Sequence, residues 1–161
     1  MTLSKNNLSL LSYLIKSNDL SMREAIEWSF ELYSLDEVPS WVYDVTLDTT
    51  KTEFLQTLQE VYSVDGGCEF SFEVGSFCNW YLSDGFSLYA LIQNLLIMLD
   101  KTKYNENELN LLLGAETLFQ EDKDAKARVL DLMNDFINTY NTLYVETIEL
   151  FKKEMQISEL K

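Results

Sequence analysis

The sequence predicts a mainly α-helical protein, a single-domain bundle of about six to seven helices over residues 1–161. Apolar residues recur at spacings of three and four along most of the chain, which is the pattern of amphipathic helices. There is one proline and there are five glycines, far fewer turn-forming residues than a β-sandwich or barrel needs. Apolar residues make up 47% of the chain, which is enough for a buried core and too much for a disordered protein.

Helix start signals place the elements of the first half of the chain. Ser21 and Glu24 match a capping box, in which each side chain bonds the other residue's free backbone N–H. This box predicts a helix that runs to about Ser34. The remaining elements are a first helix over Leu8–Ser17, a break at Pro39, and a helix that is capped by Asp48 or Thr50, runs to about Tyr62 and is ended by Asp65-Gly66-Gly67.

The apolar period changes at one place. From Cys68 to Val74, apolar residues alternate with polar ones, which is typical of a β-strand. A strand needs a partner, and Trp41–Leu47 is the candidate because it is rich in β-forming residues. The alternative for Trp41–Leu47 is one loose turn. The sequence therefore leaves open one short two-stranded β element.

Helical patterns dominate the second half. Ser87–Lys101 is apolar nearly all round, so we expect it to be the central, buried helix. Its least accessible residues should be Leu88, Leu91, Leu95, Ile97 and Met98. The other expected elements are a short helix at Phe77–Leu82, a turn at Asp84-Gly85, a helix over Glu106–Gln120 capped by Asn105, and a long helix from about Asp122 to Gln156. The aromatic residues Phe77, Trp80, Tyr81 and Phe86 are expected in the core, with the lining of a pocket as the alternative.

The residues that are missing narrow the chemistry. The chain has no histidine, which removes Ser-His-Asp and Cys-His catalysis and most zinc sites. No glycine-rich phosphate loop occurs. A run from Asp122 resembles the start of a calcium loop, but Ala127 stands where the sixth position requires glycine. We therefore expect no catalytic residues, no cofactor and no metal.

Two pairs of carboxylates leave one enzymatic alternative open. Glu24 and Glu27, and likewise Asp131 and Asp135, share a helix face and so could hold Mg²⁺ or act as acid and base. With 27 acidic residues in the chain, however, such spacings arise by chance. The favoured interpretation of both pairs is a solvated helix face.

The location of the protein follows from its apolar segments and cysteines. The longest apolar stretch, Leu88–Leu99, is too short to cross a membrane. The apolar run near the N-terminus ends at Lys16 without a cleavage site, so we expect a first helix and a cytoplasmic protein. Cys68 and Cys78 are then expected to be reduced core thiols, with a disulfide as the alternative.

Negative charge is concentrated in the middle of the chain. The net charge is −15, and residues 24–100 alone carry fourteen acidic residues and one cation, Lys51. Such a block attracts a positively charged partner and accelerates its association. Direct nucleic-acid binding is disfavoured, because 12 basic residues face 27 acidic ones and no basic patch is visible.

The helix that begins after Ser21 indicates where an acidic surface lies. On a helical wheel its apolar residues, with Tyr33 among them, form one arc, and the glutamates fall on the opposite side with Trp28 at the margin. Large aromatic residues among acids are typical of interface anchors with an electrostatic rim. The alternative is an ordinary core edge with solubilising charges. The candidate partner-binding residues are Glu24, Glu27, Trp28, Glu31, Asp36, Glu37, Trp41, Tyr43, Asp44 and Asp48.

In size, acidity, scarcity of cysteine and the acid-plus-aromatic segment Glu24–Asp48, the chain resembles the small bacterial immunity proteins that neutralise polymorphic toxins. The nearest comparisons are those of contact-dependent growth inhibition systems and of nuclease bacteriocins. The resemblance implies a cognate basic toxin domain, a nuclease in many cases, that is bound and blocked in the producing cell. A helical adaptor or regulatory subunit for another basic protein is the alternative.

Overall fold

The structure is a computed structural model that describes residues 5–62, 69–122 and 124–157. Within these ranges the chain forms seven α-helices and no β-strand, which confirms the predicted mainly α fold. The helices are α1 (Lys5–Lys16), α2 (Met22–Glu31), α3 (Lys51–Tyr62), α4 (Phe70–Leu82), α5 (Leu88–Ile97), α6 (Glu106–Glu121) and α7 (Lys126–Ile157). Short 3-10 helices occupy Leu32–Ser34, Ser40–Asp44 and Lys101–Lys103.

The chain forms two compact units. Unit 1 comprises residues 1–68 and 149–161, and unit 2 comprises residues 69–148. Unit 1 therefore contains α1, α2, α3 and the end of α7, whereas unit 2 contains α4, α5, α6 and the larger part of α7. The two units are regions of dense internal contact and do not test whether residues 1–161 form a single domain. The single domain therefore stays a prediction.

Helix caps lie where the sequence places them. The Ser21 N–H donates to Glu24 Oε2 at 2.9 Å and the Glu24 N–H donates to Ser21 Oγ at 3.2 Å, which completes the predicted capping box. Asn105 caps α6 in the same way, with Glu108 as its partner. Thr50 rather than Asp48 caps α3, since its Oγ1 accepts from the backbone N–H three residues later at 3.3 Å. These caps satisfy N–H groups that a helix leaves free at its start.

The core of unit 1 joins α1 and α3 to the segment that follows α2. Leu11, Leu14, Phe54 and Leu58 are fully buried, at 0% exposure each. Trp41, in the 3-10 helix Ser40–Asp44, lies edge-on to the Phe54 ring at a centroid distance of 6.1 Å. The residues after Pro39 therefore fold back onto the helices of unit 1 and contribute to its core.

The core of unit 2 is centred on α5, as predicted, but only on one side of it. Leu88, Leu91 and Leu95 are buried at 1%, 0% and 0% exposure, whereas Ile97 and Met98 are 70% and 67% exposed. The prediction for Ile97 and Met98 was wrong. They lie at the end of α5, off the stripe of Leu88, Leu91 and Leu95 at spacings of three and four that faces the core.

The two-stranded β element that the sequence left open does not form in the described residues. The described part of Cys68–Val74 forms the first turns of α4, and most of Trp41–Leu47 forms a 3-10 helix. The alternation arises because α4 packs on more than one side: the Phe70 ring lies 4.7 Å from that of Tyr104, and the Phe72 ring lies 4.9 Å from that of Tyr144. Cys68 and the predicted stop at Asp65-Gly66-Gly67 lie outside the described residues.

The turn predicted at Asp84-Gly85 ends α4. Asp84 has a φ of 58°, and its N–H donates to the Tyr81 carbonyl at 3.0 Å. The Gly85 N–H donates to the Trp80 carbonyl at 2.9 Å. This is the pattern of a Schellman motif, in which a left-handed residue after the helix satisfies its last carbonyl groups. The short helix predicted over Phe77–Leu82 is thus the second half of a longer one.

Candidate partner-binding surface

The two tryptophans predicted as interface anchors are buried in unit 1. Trp28 is 3% exposed and Trp41 is 5% exposed, and their ring centroids lie 6.3 Å apart. Trp28 therefore does not lie at the margin of α2, because the segment after Pro39 returns to pack against it. Within the described residues its Nε1 atom has no hydrogen-bond partner. Both rings thus belong to the core of unit 1 rather than to its surface.

Two tyrosines take the exposed positions instead. Tyr33, which the helical wheel assigned to the buried arc, is 46% exposed, and Tyr43 is 62% exposed. Their rings meet edge-to-face at a centroid distance of 5.5 Å. The Tyr33 hydroxyl donates to the Val42 carbonyl at 3.4 Å, and the Phe30 ring lies 6.4 Å from that of Tyr33. The pair is therefore held in place by contacts within unit 1.

The first two of the predicted acidic residues are already engaged within the chain. Glu24 belongs to the capping box, and the hydrogen bond from the Ser21 N–H is the main cause that lowers the pKa of its carboxyl. Glu27 accepts a charge-assisted hydrogen bond from Arg23 Nε at 2.8 Å. Glu31, at the end of α2, is half-buried. Glu24 and Glu27 are therefore hydrogen-bonded within the chain.

Four other carboxylates of the predicted set lie exposed in unit 1. Asp36, Glu37, Asp44 and Asp48 are exposed, and none of them forms an ion pair within the described residues. Lys51, the cation of the acidic middle segment, donates instead to the Asn18 side chain at 2.9 Å and to the Lys16 carbonyl at 3.3 Å. We call Tyr33, Asp36, Glu37, Tyr43, Asp44 and Asp48 the acidic tyrosine patch.

Unit 2 contains an open groove of about 370 Å³. Aromatic and apolar side chains line the groove, together with one acidic and one basic residue. The lining residues are Tyr81, Leu82, Asp84, Phe86, Ser87, Leu88 and Lys126. Of the predicted aromatic cluster, Phe77, Tyr81 and Phe86 pack against the core, and Trp80 is 58% exposed with its ring 5.1 Å from that of Phe86. The cluster thus belongs partly to the core and partly to this groove. No sequence pattern indicated Lys126 as a lining residue.

No metal-binding or membrane-spanning feature occurs in the described part of the chain. No group of three or more cysteine or acidic side chains there lies close enough together to hold a metal ion. Among the helices of the same ranges, none has the length and apolar character that crossing a bilayer requires. Asp131 and Asp135, the second acid pair, are exposed on α7.

Cys78 is a free, buried thiol, as expected of a core cysteine. Burial raises the pKa of its thiol from 9.0 to about 12. Since the thiolate is the nucleophilic form, Cys78 is inert at neutral pH. Burial likewise raises the pKa of Tyr104, whose hydroxyl donates to the Leu95 carbonyl at 2.9 Å, and that of Tyr140, whose hydroxyl donates to Glu108.

These shifts predict that the protein loses stability in alkaline solution. The Cys78 thiol ionises near pH 9.0 in the unfolded chain but near pH 12 in the folded one, so its contribution to stability declines as the pH rises through this window. The decline is up to about 1.4 kcal/mol per pH unit for one group. In urea titrations at about pH 8 and about pH 11, Cys78→Ala should show a smaller drop between the two than the wild type. An equal drop in both proteins would contradict the assignment.

Comparisons of the chain with protein families, with curated proteins and with solved structures found no match.

Proposed function

We propose that this protein is an inhibitor of the immunity-protein kind, which binds a basic toxin domain, most simply a nuclease, through the acidic tyrosine patch. The observation that carries the proposal is that residues 33–48 combine an exposed pair of contacting tyrosines with four exposed carboxylates that form no ion pair within the described residues, Asp36, Glu37, Asp44 and Asp48. Uncompensated charge attracts a basic partner over distance, and aromatic rings supply contact area once it has docked.

The charge of the patch suits a nuclease partner. A nuclease carries a cationic groove for the phosphates of its substrate. An acidic surface of the inhibitor can occupy or flank that groove and so exclude the nucleic acid by direct competition. The ion pairs that form would be screened by salt, with a Debye length of about 8 Å at physiological ionic strength. Association should therefore be fast and strongly dependent on salt.

The residues of the patch divide into two roles. The four carboxylates steer the partner and form the rim, whereas Tyr33 and Tyr43 provide the contact area that opposes dissociation. The buried tryptophans Trp28 and Trp41 act indirectly, because they hold the 3-10 helix that carries Tyr43 against the rest of unit 1. Replacing a tryptophan would therefore impair folding as well as binding, and the tyrosines are the better test residues.

The test is to isolate the partner from the source cell on the immobilised protein and to measure whether the protein suppresses the partner's toxicity when both are co-expressed. The informative variant is Asp36→Lys with Glu37→Lys. The matched control is Asp131→Lys with Asp135→Lys, which changes the net charge equally on exposed residues of unit 2. We expect the first variant to bind on the order of tenfold more weakly and to lose protection, and the control to behave as the wild type.

Two results would contradict this function. The first is that the captured partner has no toxic activity or is not inhibited, which would favour an adaptor. The second is that both double variants protect the cell as well as the wild type, in which case the acidic tyrosine patch is not the binding surface. Circular dichroism of both variants checks that they remain folded, which is expected because the substituted residues are exposed.

A further inference from the structure

Both tyrosines of the acidic tyrosine patch are exposed, in a segment that also carries exposed carboxylates. Tyr43 is the more exposed of the two, and Asp44 follows it directly at the end of the 3-10 helix Ser40–Asp44. Within the described residues, one cation lies over an aromatic ring. It is the Lys103 Nζ atom, 5.9 Å from the centroid of the Phe70 ring in unit 2. No cation of the described residues lies over the ring of Tyr33 or Tyr43.

The chemistry of such a surface favours arginine over lysine. A guanidinium is planar and weakly hydrated, so it stacks on an aromatic face while its N–H groups form paired hydrogen bonds with a carboxylate. An ammonium is a compact, strongly hydrated point charge that satisfies a carboxylate but stacks less well. A patch made only of acids would bind arginine and lysine about equally, whereas one that adds exposed tyrosine rings favours arginine.

We propose that the acidic tyrosine patch recognises arginine side chains of its partner, with a guanidinium stacked on Tyr43 and hydrogen-bonded to Asp44. The inference rests on the proposed function, because it names the chemistry of the partner surface that this patch takes. Tyr33 acts as a positioning residue, since its ring meets the Tyr43 ring edge-to-face and its hydroxyl is tied to the Val42 carbonyl. The four carboxylates supply attraction, and the tyrosines supply the selectivity for arginine.

The experiment compares two synthetic peptides of equal length and charge, one with arginine and glycine and one with lysine and glycine. Their dissociation constants for the intact protein are measured by calorimetry. We expect the arginine peptide to bind about two- to fivefold more tightly for each stacked guanidinium. Tyr43→Ala should reduce the preference to parity, and Tyr43→Phe should retain it because the ring remains. The matched control is Tyr89→Ala in unit 2, a tyrosine that is 50% exposed and should leave the preference unchanged.

Equal affinity for the two peptides would overturn the inference, as would an arginine preference that persists in Tyr43→Ala. The proposed function still stands after either result if the Asp36→Lys, Glu37→Lys variant no longer inhibits the captured toxin. Conversely, an arginine preference that depends on Tyr43, in a protein that inhibits no toxin, supports the recognition chemistry and refutes the immunity function. The two proposals therefore fail separately.

Discussion

Replacing Leu91 or Leu95 by alanine is expected to lower the free energy of unfolding by about 2–5 kcal/mol. Both side chains are fully buried, at 0% exposure, in the centre of the unit 2 core. The loss combines the transfer free energy of the deleted methyl and methylene groups with the cavity that the surrounding helices cannot close. Urea denaturation followed by circular dichroism measures it as a shift of the midpoint at constant slope.

The matched control for this pair lies on the same helix. Ile97, at the last position of α5, is 70% exposed. Ile97→Ala should change the free energy of unfolding by no more than about 0.5 kcal/mol, as surface substitutions usually do. A loss below about 1 kcal/mol at both Leu91 and Leu95, or a large loss at Ile97, would mean that α5 faces the core with a different side.

Gly75→Ala is expected to destabilise the protein by about 1–3 kcal/mol, although alanine normally stabilises a helix relative to glycine. Gly75 lies in α4, where the helix approaches α7. A Cβ atom at this position would lie 2.5 Å from the Tyr140 carbonyl oxygen and 2.7 Å from the Tyr144 Cβ. Since the first contact is with backbone, neither a rotamer change nor a small shift relieves it, and the two helices must separate.

Gly114→Ala, in the same unit, is expected to change the free energy of unfolding in the opposite direction. Gly114 lies in α6, and a Cβ there would meet no atom of the described residues within 4 Å apart from its own neighbours and helix backbone. The substitution should therefore stabilise the protein by up to about 1 kcal/mol, the difference in helix propensity between the two residues. Thermal unfolding of the two variants should move the midpoint in opposite directions. If Gly75→Ala is as stable as Gly114→Ala, α4 and α7 do not pack as closely as described.

The sequence predicts the helical elements well because their signals are local. The capping boxes of Ser21 and Asn105, the cap at Thr50 and the turn at Asp84 each depend on residues within one helical turn. Such signals do not require knowledge of what the helix packs against. They lie close to the observed helix boundaries for that reason.

The errors arise where packing between distant residues decides the outcome. Phe72 belongs to α4, and the alternation around it resembles a strand because the apolar side chains on different faces of α4 each meet a partner, such as Tyr144, far along the chain. Ile97 and Met98 continue the apolar run of α5 but lie outside its core-facing stripe. Periodicity alone cannot distinguish these cases, because it reports which residues are apolar and not which faces are covered.

The candidate surface was likewise predictable only in part from the sequence. Its charge was predictable from composition, since the middle of the chain has one cation among fourteen acidic residues. The burial of Trp28 and the exposure of Tyr33 were not, because a helical wheel of α2 contains no information about the 3-10 helix Ser40–Asp44 that packs against Trp28. The ion pair of Arg23 with Glu27, by contrast, has a sequence signal, because opposite charges four residues apart on a helix face are neighbours.

The most direct test of the central claim is the association rate constant with the captured basic partner, measured at about 50 mM and about 200 mM salt. The four carboxylates Asp36, Glu37, Asp44 and Asp48 are exchanged for lysine in one variant. If the acidic tyrosine patch steers the partner, the wild-type rate falls steeply with added salt, and the variant associates slowly with little or reversed salt dependence. If the variant associates as fast as the wild type at both salt concentrations, the acidic patch serves only solubility and the proposed function is wrong.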